Sequence, residues 1–288
     1  MTSLLQNSLF QRVVTAVVLL AVIFATLLFA PVIAWYAVSL IFIVLAAREW
    51  GVMLSDKKND NSKGNAAALS MALLGALYMV GLKLMQPGTG LRVEAIGFWI
   101  CCAACAYWIL IAPWQLRVGR SVKAGGVWLA IGLLLPAWIA VAQLRERGLS
   151  FLLTCLAIVW LADTAAYFAG RAFGKAKLAP SISPAKSWAG VYGAMIAVAL
   201  YFIVLATLVA QASLPLSLSS QVSLAGLIPI AIALTAWSVM GDLFESKLKR
   251  ECQVKDSGNT LPGHGGVLDR IDALLPVMPM CFVLSRLF

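Results

Sequence analysis

The sequence predicts an all-α fold: a polytopic membrane helix bundle of about nine transmembrane helices with a cytoplasmic N-terminus. Three observations carry this. Only 12% of the 288 residues are charged, with a mean hydropathy of +0.92, whereas a soluble domain carries about twice that charged fraction. Apolar runs of about 16–24 residues recur along the chain, and about 20 residues cross a bilayer as a helix. Lys and Arg crowd into alternate loops. Backbone in lipid must satisfy its own hydrogen bonds, which selects helices over an open sheet.

The first run, 13–30, follows "MTSLLQNSLFQR". It has no A-x-A-like cleavage site and reads as a retained helix rather than a removed signal peptide. Pro31 turns the chain into a second run, 32–47, after which "SDKKNDNSKGN" (55–65) reads as a polar, mobile linker. Runs at 66–83, 95–112, 125–143, 150–169, 189–212 and 222–243 follow. The last, 273–288, is short and interrupted by the two prolines of "LLPVMPM", so it is expected to tilt, kink or pack inside the bundle. Residues 1–145 (helices 1–5) read as a scaffold with homodimer contacts, and 146–288 (helices 6–9) as the part carrying the chemistry.

If the runs alternate across the membrane, one side holds Arg12, Arg48, Lys57, Lys58, Lys63, Arg117, Arg120, Lys123, Arg171, Lys175, Lys177, Lys186, Lys247, Lys249, Arg250, Lys255 and Arg270. The other side holds Lys83, Arg92, Arg145, Arg147 and Arg286. The split is 17 to 5. It places the N-terminus and the polar loops in the cytoplasm of a cell whose inner membrane the chain spans. It also explains the net charge of +10 without nucleic acid. The six cysteines, Cys101, Cys102, Cys105, Cys155, Cys252 and Cys281, lie mostly in apolar runs. They lack metal-ligand spacing and read as small core residues.

Acidic residues are scarce, and six of the twelve fall within 242–272. Asp242 and Glu245 share a helix face, and Asp269 and Asp272 repeat the same spacing. A return loop brings the two pairs together, and carboxylates so gathered repel unless a cation lies between them. An oxygen-only donor set suits Mg²⁺. The intervening stretch adds Lys249, Arg250, Lys255 and Asp256, and "PGHGG" (262–266) lets the backbone at Gly265 and Gly266 approach a ligand. His264, the only histidine, reads between its glycines as a ligand contact. Basic groups, loop glycines and carboxylates together describe a polyphosphate site. A second cluster, "ADTAAYFAGRAFGKAKLAPSISPAKSW" (162–188), holds Asp163 inside an apolar run, where an unpaired carboxylate is costly. Lys175, Ser183, Lys186 and Ser187 suit phosphate binding, although a basic loop can also answer to anionic headgroups.

The stretch "SKLKRECQVKDSGNTLPGHGGVLDRID" (246–272) resembles the signature of the phosphatidate cytidylyltransferases, the CDP-diacylglycerol synthases, without a break. The "SPAKSW" turn is similar to that family's SP-x-K-T-W-E-G. Ser187 stands where Thr is usual and Ala189 where Glu is usual, which removes one carboxylate. The resemblance implies that CTP and phosphatidate, a membrane lipid, are joined to give CDP-diacylglycerol and pyrophosphate, with one or two Mg²⁺ ions. It implies Asp242 and Asp269 as first metal ligands, with Asp163, Asp256 and Asp272 as candidates for ligation or orientation. Lys249, Arg250, Lys255, His264 and Arg270 would hold the CTP phosphates, and Ser183, Lys186 and Ser187 the lipid headgroup or the nucleotide. A transporter or flippase of an anionic lipid would share the bundle and the basic cavity. It does not require clustered carboxylates beside a glycine-rich turn, and the chain shows no inverted repeat of broken helices.

Overall fold

The computed structural model describes residues 8–55, 60–84, 93–212 and 224–287. Part of the expected polar linker (56–59, with Lys57 and Lys58) and Arg92 lie outside them. Helix α1 (Ser8–Phe29) meets α2 (Val32–Met53) through Pro31, and α3 (Ser62–Leu84) runs back along α2. α4 (Val93–Ala106) passes through a π-helical turn, Tyr107–Ile111, into α5 (Ala112–Val118). The turn widens because Pro113 has no N–H to donate, and the Ala112 N–H reaches back to the Tyr107 carbonyl. A 3₁₀ turn, Lys123–Gly125, leads into α6 (Gly126–Glu146), followed by α7 (Leu149–Phe173).

A two-stranded antiparallel hairpin, β1 (Lys177–Ala179) and β2 (Ser183–Ser187), then feeds α8 (Trp188–Ala212). It is the one sheet among the described residues. Then come α9 (Leu224–Glu251), the one-turn α10 (Leu268–Ile271) and α11 (Leu274–Leu287).

Among the described residues, eight segments are long and apolar enough to cross a membrane. The expected ninth, α11, has 14 residues, about 21 Å at the helical rise and short of a ~30 Å hydrocarbon core. It is buried along most of its length against α4, α6 and α9, in keeping with the expectation that this run packs inside the bundle. Large apolar side chains such as Phe29, Trp128 and Leu84 are exposed, as befits surfaces that face lipid tails.

Several helices extend past their expected ends, and the extensions of α2 and α9 carry site residues. α2 continues through Glu49 to Met53, and α9 continues to Glu251. Lys247, Lys249 and Arg250 therefore sit on a helix, not in the loop where the sequence reading put them. α9 is held in rotation by Phe244, whose ring lies 5.1 Å from Trp108 and 6.3 Å from Trp50. With Phe244 and Leu248 fully buried on that side, the 3.6-residue period turns Asp242, Glu245 and Lys249 to another face. α7 and α8 pack closely because Gly190 and Gly193 lie against Ala166 and Ala169. Such small residues are what lets membrane helices approach backbone to backbone.

Candidate active site

Asp163 on α7, Lys186 on β2 and Asp242 on α9 line one cavity of about 400 Å³. Its floor and walls come from α7, the hairpin, α8 and α9, with Tyr167, Arg171 and Ser187 also lining it. The Lys186 ammonium is paired with the Asp242 carboxylate. Asp272, the residue after α10, is close enough for its charge to interact with Asp242, Lys186 and Asp163. Burial, reinforced by the charge of Asp242, pushes the Asp272 carboxyl well above the usual carboxylate range. The hairpin that presents Lys186 is fixed at both ends. The Trp188 N–H donates to the Ala176 carbonyl at 3.0 Å, and Arg250 Nε reaches the Ile182 carbonyl at 3.4 Å. Ser187 caps α8, its hydroxyl accepting from the Gly190 N–H at 3.3 Å.

A second knot of charge lies one turn along α9. Lys249 Nζ is 2.6 Å from Glu245 and 2.7 Å from Asp269. The Asp269 carboxylate also accepts from the Ser257 N–H at 3.0 Å and the Gly266 N–H at 2.9 Å. Burial alone would raise the Asp269 carboxyl. Its bonds with Glu245, Lys249 and Gly266 outweigh burial and hold it at about 2.

The loop between α9 and α10 folds on these anchors. Leu261 N–H donates to the Gly265 carbonyl, and His264 N–H to the Leu261 carbonyl, each at 2.9 Å. Gly265 takes φ +82°, which a side chain rarely tolerates. At Gly266 the constraint is space, since an added Cβ would lie 2.6 Å from Glu49 Oε2. Glu49 is the residue that the sequence reading missed. It is buried, and its carboxylate accepts from Ser257 Oγ at 3.1 Å, the Val267 N–H at 3.0 Å and the Leu268 N–H at 2.9 Å. The signal was present: Glu49, two residues past an apolar run and followed by Trp50, carries a cost of the kind that singled out Asp163. Ending the second run at 47 hid it by leaving Glu49 in a loop. Arg171 was counted only as a loop charge, yet it stands in the cavity wall.

The structure thus brings together Asp163, Asp242, Asp272 and Lys186, and, beside them, Asp269, Glu245 and Lys249. Ser183 is half-buried on β2, and Lys175, Lys255 and Asp256 are exposed and do not line the cavity. His264 and Arg270 do not line this cavity. They sit at one end of a separate apolar cleft. Among the described residues no three His, Cys, Asp or Glu side chains are arranged to hold a metal ion as they stand. The donor chemistry nevertheless fits Mg²⁺: the clustered ligands are carboxylate oxygens, and each cluster already attracts a cation, Lys186 in one and Lys249 in the other.

Comparison with known proteins gives a consistent result. A family model described as "Cytidylyltransferase family" matches residues 10–288. The phosphatidate cytidylyltransferase of Haemophilus influenzae is 36% identical over 285 residues, covering 93% of this chain and 96% of the relative. That of Pseudomonas aeruginosa is 35% identical over 277 residues, covering 94% of each. That of Bacillus subtilis is 40% identical over 158 residues, 55% of each chain.

Proposed function

Because the chain belongs to the cytidylyltransferase family, we propose that it is a membrane enzyme that condenses CTP with phosphatidate to give CDP-diacylglycerol and pyrophosphate. The observation that carries this reading is the Lys186–Asp242 pair in a cavity shared with Asp163. It lies inside a chain whose relatives of nearly equal length are named for that activity.

The chemistry asks little covalent work of the protein. A phosphate oxygen of phosphatidate attacks the α-phosphorus of CTP. A new P–O bond forms as the bridging P–O bond to the β-phosphate breaks, and its electrons leave with pyrophosphate. The lipid brings its own nucleophile, so no protein nucleophile is needed. What remains is to bring two anions together and to stabilise charge on the leaving group.

Asp242, Asp163, Asp272 and Asp269 would hold one or two Mg²⁺ ions. When bound, Mg²⁺ supplies charge neutralisation on the CTP phosphates and on the departing pyrophosphate. The ammonium groups of Lys186 and Lys249 would be available to phosphate oxygens once their carboxylate partners were so engaged, and Arg171 and Arg250 add guanidinium donors near the same cavity and hairpin. Glu49 and the glycines of the turn keep Ser257, Gly266 and Asp269 in register. The 17-to-5 division of basic residues supports a multi-pass protein of the inner membrane with this site on the cytoplasmic side, where CTP is present.

The test is to incubate the purified protein in detergent with labelled CTP, phosphatidate and Mg²⁺. The expected products are labelled CDP-diacylglycerol and an equal amount of pyrophosphate, both abolished by a chelator of divalent ions. Absence of both from folded protein would refute the proposal. Product formation with a polyprenyl phosphate but not with phosphatidate would reassign the lipid acceptor.

A further inference from the structure

The apolar cleft that ends at His264 and Arg270 is separate from the cavity of Asp163, Lys186 and Asp242, and it has a volume of about 400 Å³, within the ~300–1,000 Å³ range of small-molecule sites. α1 forms its outer wall through Ala16 and Leu20. α2, α6, α7 and the start of α11 form the rest. It runs along α2 from Ile43 to Trp35, about 12 Å at ~1.5 Å per residue. Three polar groups in its walls are already used. Trp35 Nε1 donates to the Val141 carbonyl, Ser39 Oγ to the Trp35 carbonyl, and Trp138 Nε1 to the Tyr36 carbonyl. An occupant along this length therefore meets hydrocarbon.

One end differs. Arg270 is fastened there by Nε and Nη2 to the His264 carbonyl, and His264 Nδ1 is buried without a hydrogen-bond partner among the described residues. The Arg12 side chain packs against Gly263 of the same turn. The site is therefore long and apolar, with cationic and hydrogen-bonding groups gathered at one end.

We propose that this cleft holds the acyl chains of phosphatidate, with its phosphomonoester at His264 and Arg270. The proposal rests on the function proposed above and divides the two substrates between two cavities. The nucleotide takes the polar one, and the lipid enters from the bilayer past α1. The two abut across a single segment. Arg270 and Ile271 line the cleft, and the next residue, Asp272, interacts with Asp242 and Lys186 on the other side. A phosphate at Arg270 is thus delivered beside the carboxylate cluster. α1 suits a movable outer wall, because most of its apolar side chains are exposed. It is also joined to the turn by a 3.0 Å hydrogen bond from Thr15 Oγ1 to the Pro262 carbonyl.

The experiment uses the whole protein in lipid nanodiscs with phosphatidate carrying a photoactivatable diazirine on one acyl chain. Labelled residues should fall within 16–23 and 35–43, and a phosphatidylcholine with the same chain should label them far less. Equal labelling by both lipids, or labelling confined to α8, would overturn the proposal. In parallel, Ala16→Trp narrows the cleft from its least packed wall. It should raise KM for a long-chain phosphatidate about tenfold, on the scale by which apolar pockets discriminate, and leave KM for CTP unchanged. An unchanged KM for phosphatidate in the active variant would overturn the proposal. If that variant fails to fold, the photolabelling decides. Failure of the unsubstituted protein to make CDP-diacylglycerol would sink the proposed function itself, which the labelling pattern does not measure.

Discussion

The Glu49 carboxylate accepts a hydrogen bond at 3.1 Å from the Ser257 hydroxyl, across 208 positions of sequence. It ties α2 to the loop that carries the polar chemistry. The same carboxylate takes the N–H groups of Val267 and Leu268, so three buried donors depend on one side chain. Glu49→Ala should leave all three unmet, at about 1–3 kcal/mol each, with some relief where water enters. The expected result is a fall in Tm of several degrees and a loss of turnover of at least ~10-fold, while Glu49→Gln falls between. Thermal unfolding and the CTP–phosphatidate assay on the same preparations check this. An unaltered Tm for the alanine variant would show that the loop is held by other means.

The Lys186 ammonium is paired with Asp242, and Asp163 and Asp272 are close to both. Lys186→Met removes this cation from a carboxylate cluster and, on the proposed mechanism, from the reacting phosphates. A loss of kcat of about 10²–10³-fold is expected, the scale seen when one preorganised charge donor is removed. Lys186→Arg should recover part of it. The measurement is steady-state kinetics in CTP and in phosphatidate, and equal losses in both variants would mean that position rather than charge is at stake.

Asp269 is held by Lys249, the Ser257 N–H and the Gly266 N–H. Asp269→Asn keeps one acceptor oxygen but turns an NH₂ group toward donors. We expect turnover to fall by at least ~10²-fold while the protein stays folded and membrane-inserted, with its Tm lowered by the cost of about one unmet bond. Near-normal turnover by this variant would refute a role for Asp269 in metal or phosphate binding.

Much of this was legible in the sequence because membrane burial is a coarse code. Apolar runs gave the helices, and the spacing of Asp242 and Glu245 gave their shared face. Asp163 stood out through the cost of a carboxylate in an apolar run. The missed features depend on where helices end and on what lies across the bundle. α2 and α9 continue beyond their apolar runs because Trp50 and Phe244 lock the polar extensions to the core, and no local pattern announces that. The separation of His264 and Arg270 from the Asp242 cavity was equally hidden. Neighbours in the signature diverge in space: Arg270, on the one-turn α10, lines the apolar cleft, while Asp272, just past that turn, is within charge range of Asp242 and Lys186.

The central claim, that the cavity of Asp163, Lys186 and Asp242 is where cytidylyl transfer occurs, is tested most directly by Asp242→Asn. The measurement is transfer of label from CTP to phosphatidate with Mg²⁺, per unit of folded, membrane-inserted protein. The account predicts a rate at least ~10²-fold below that of the unsubstituted protein. A rate within about twofold of it would contradict the account, since charge at Asp242 would then contribute less than about 0.5 kcal/mol to the barrier.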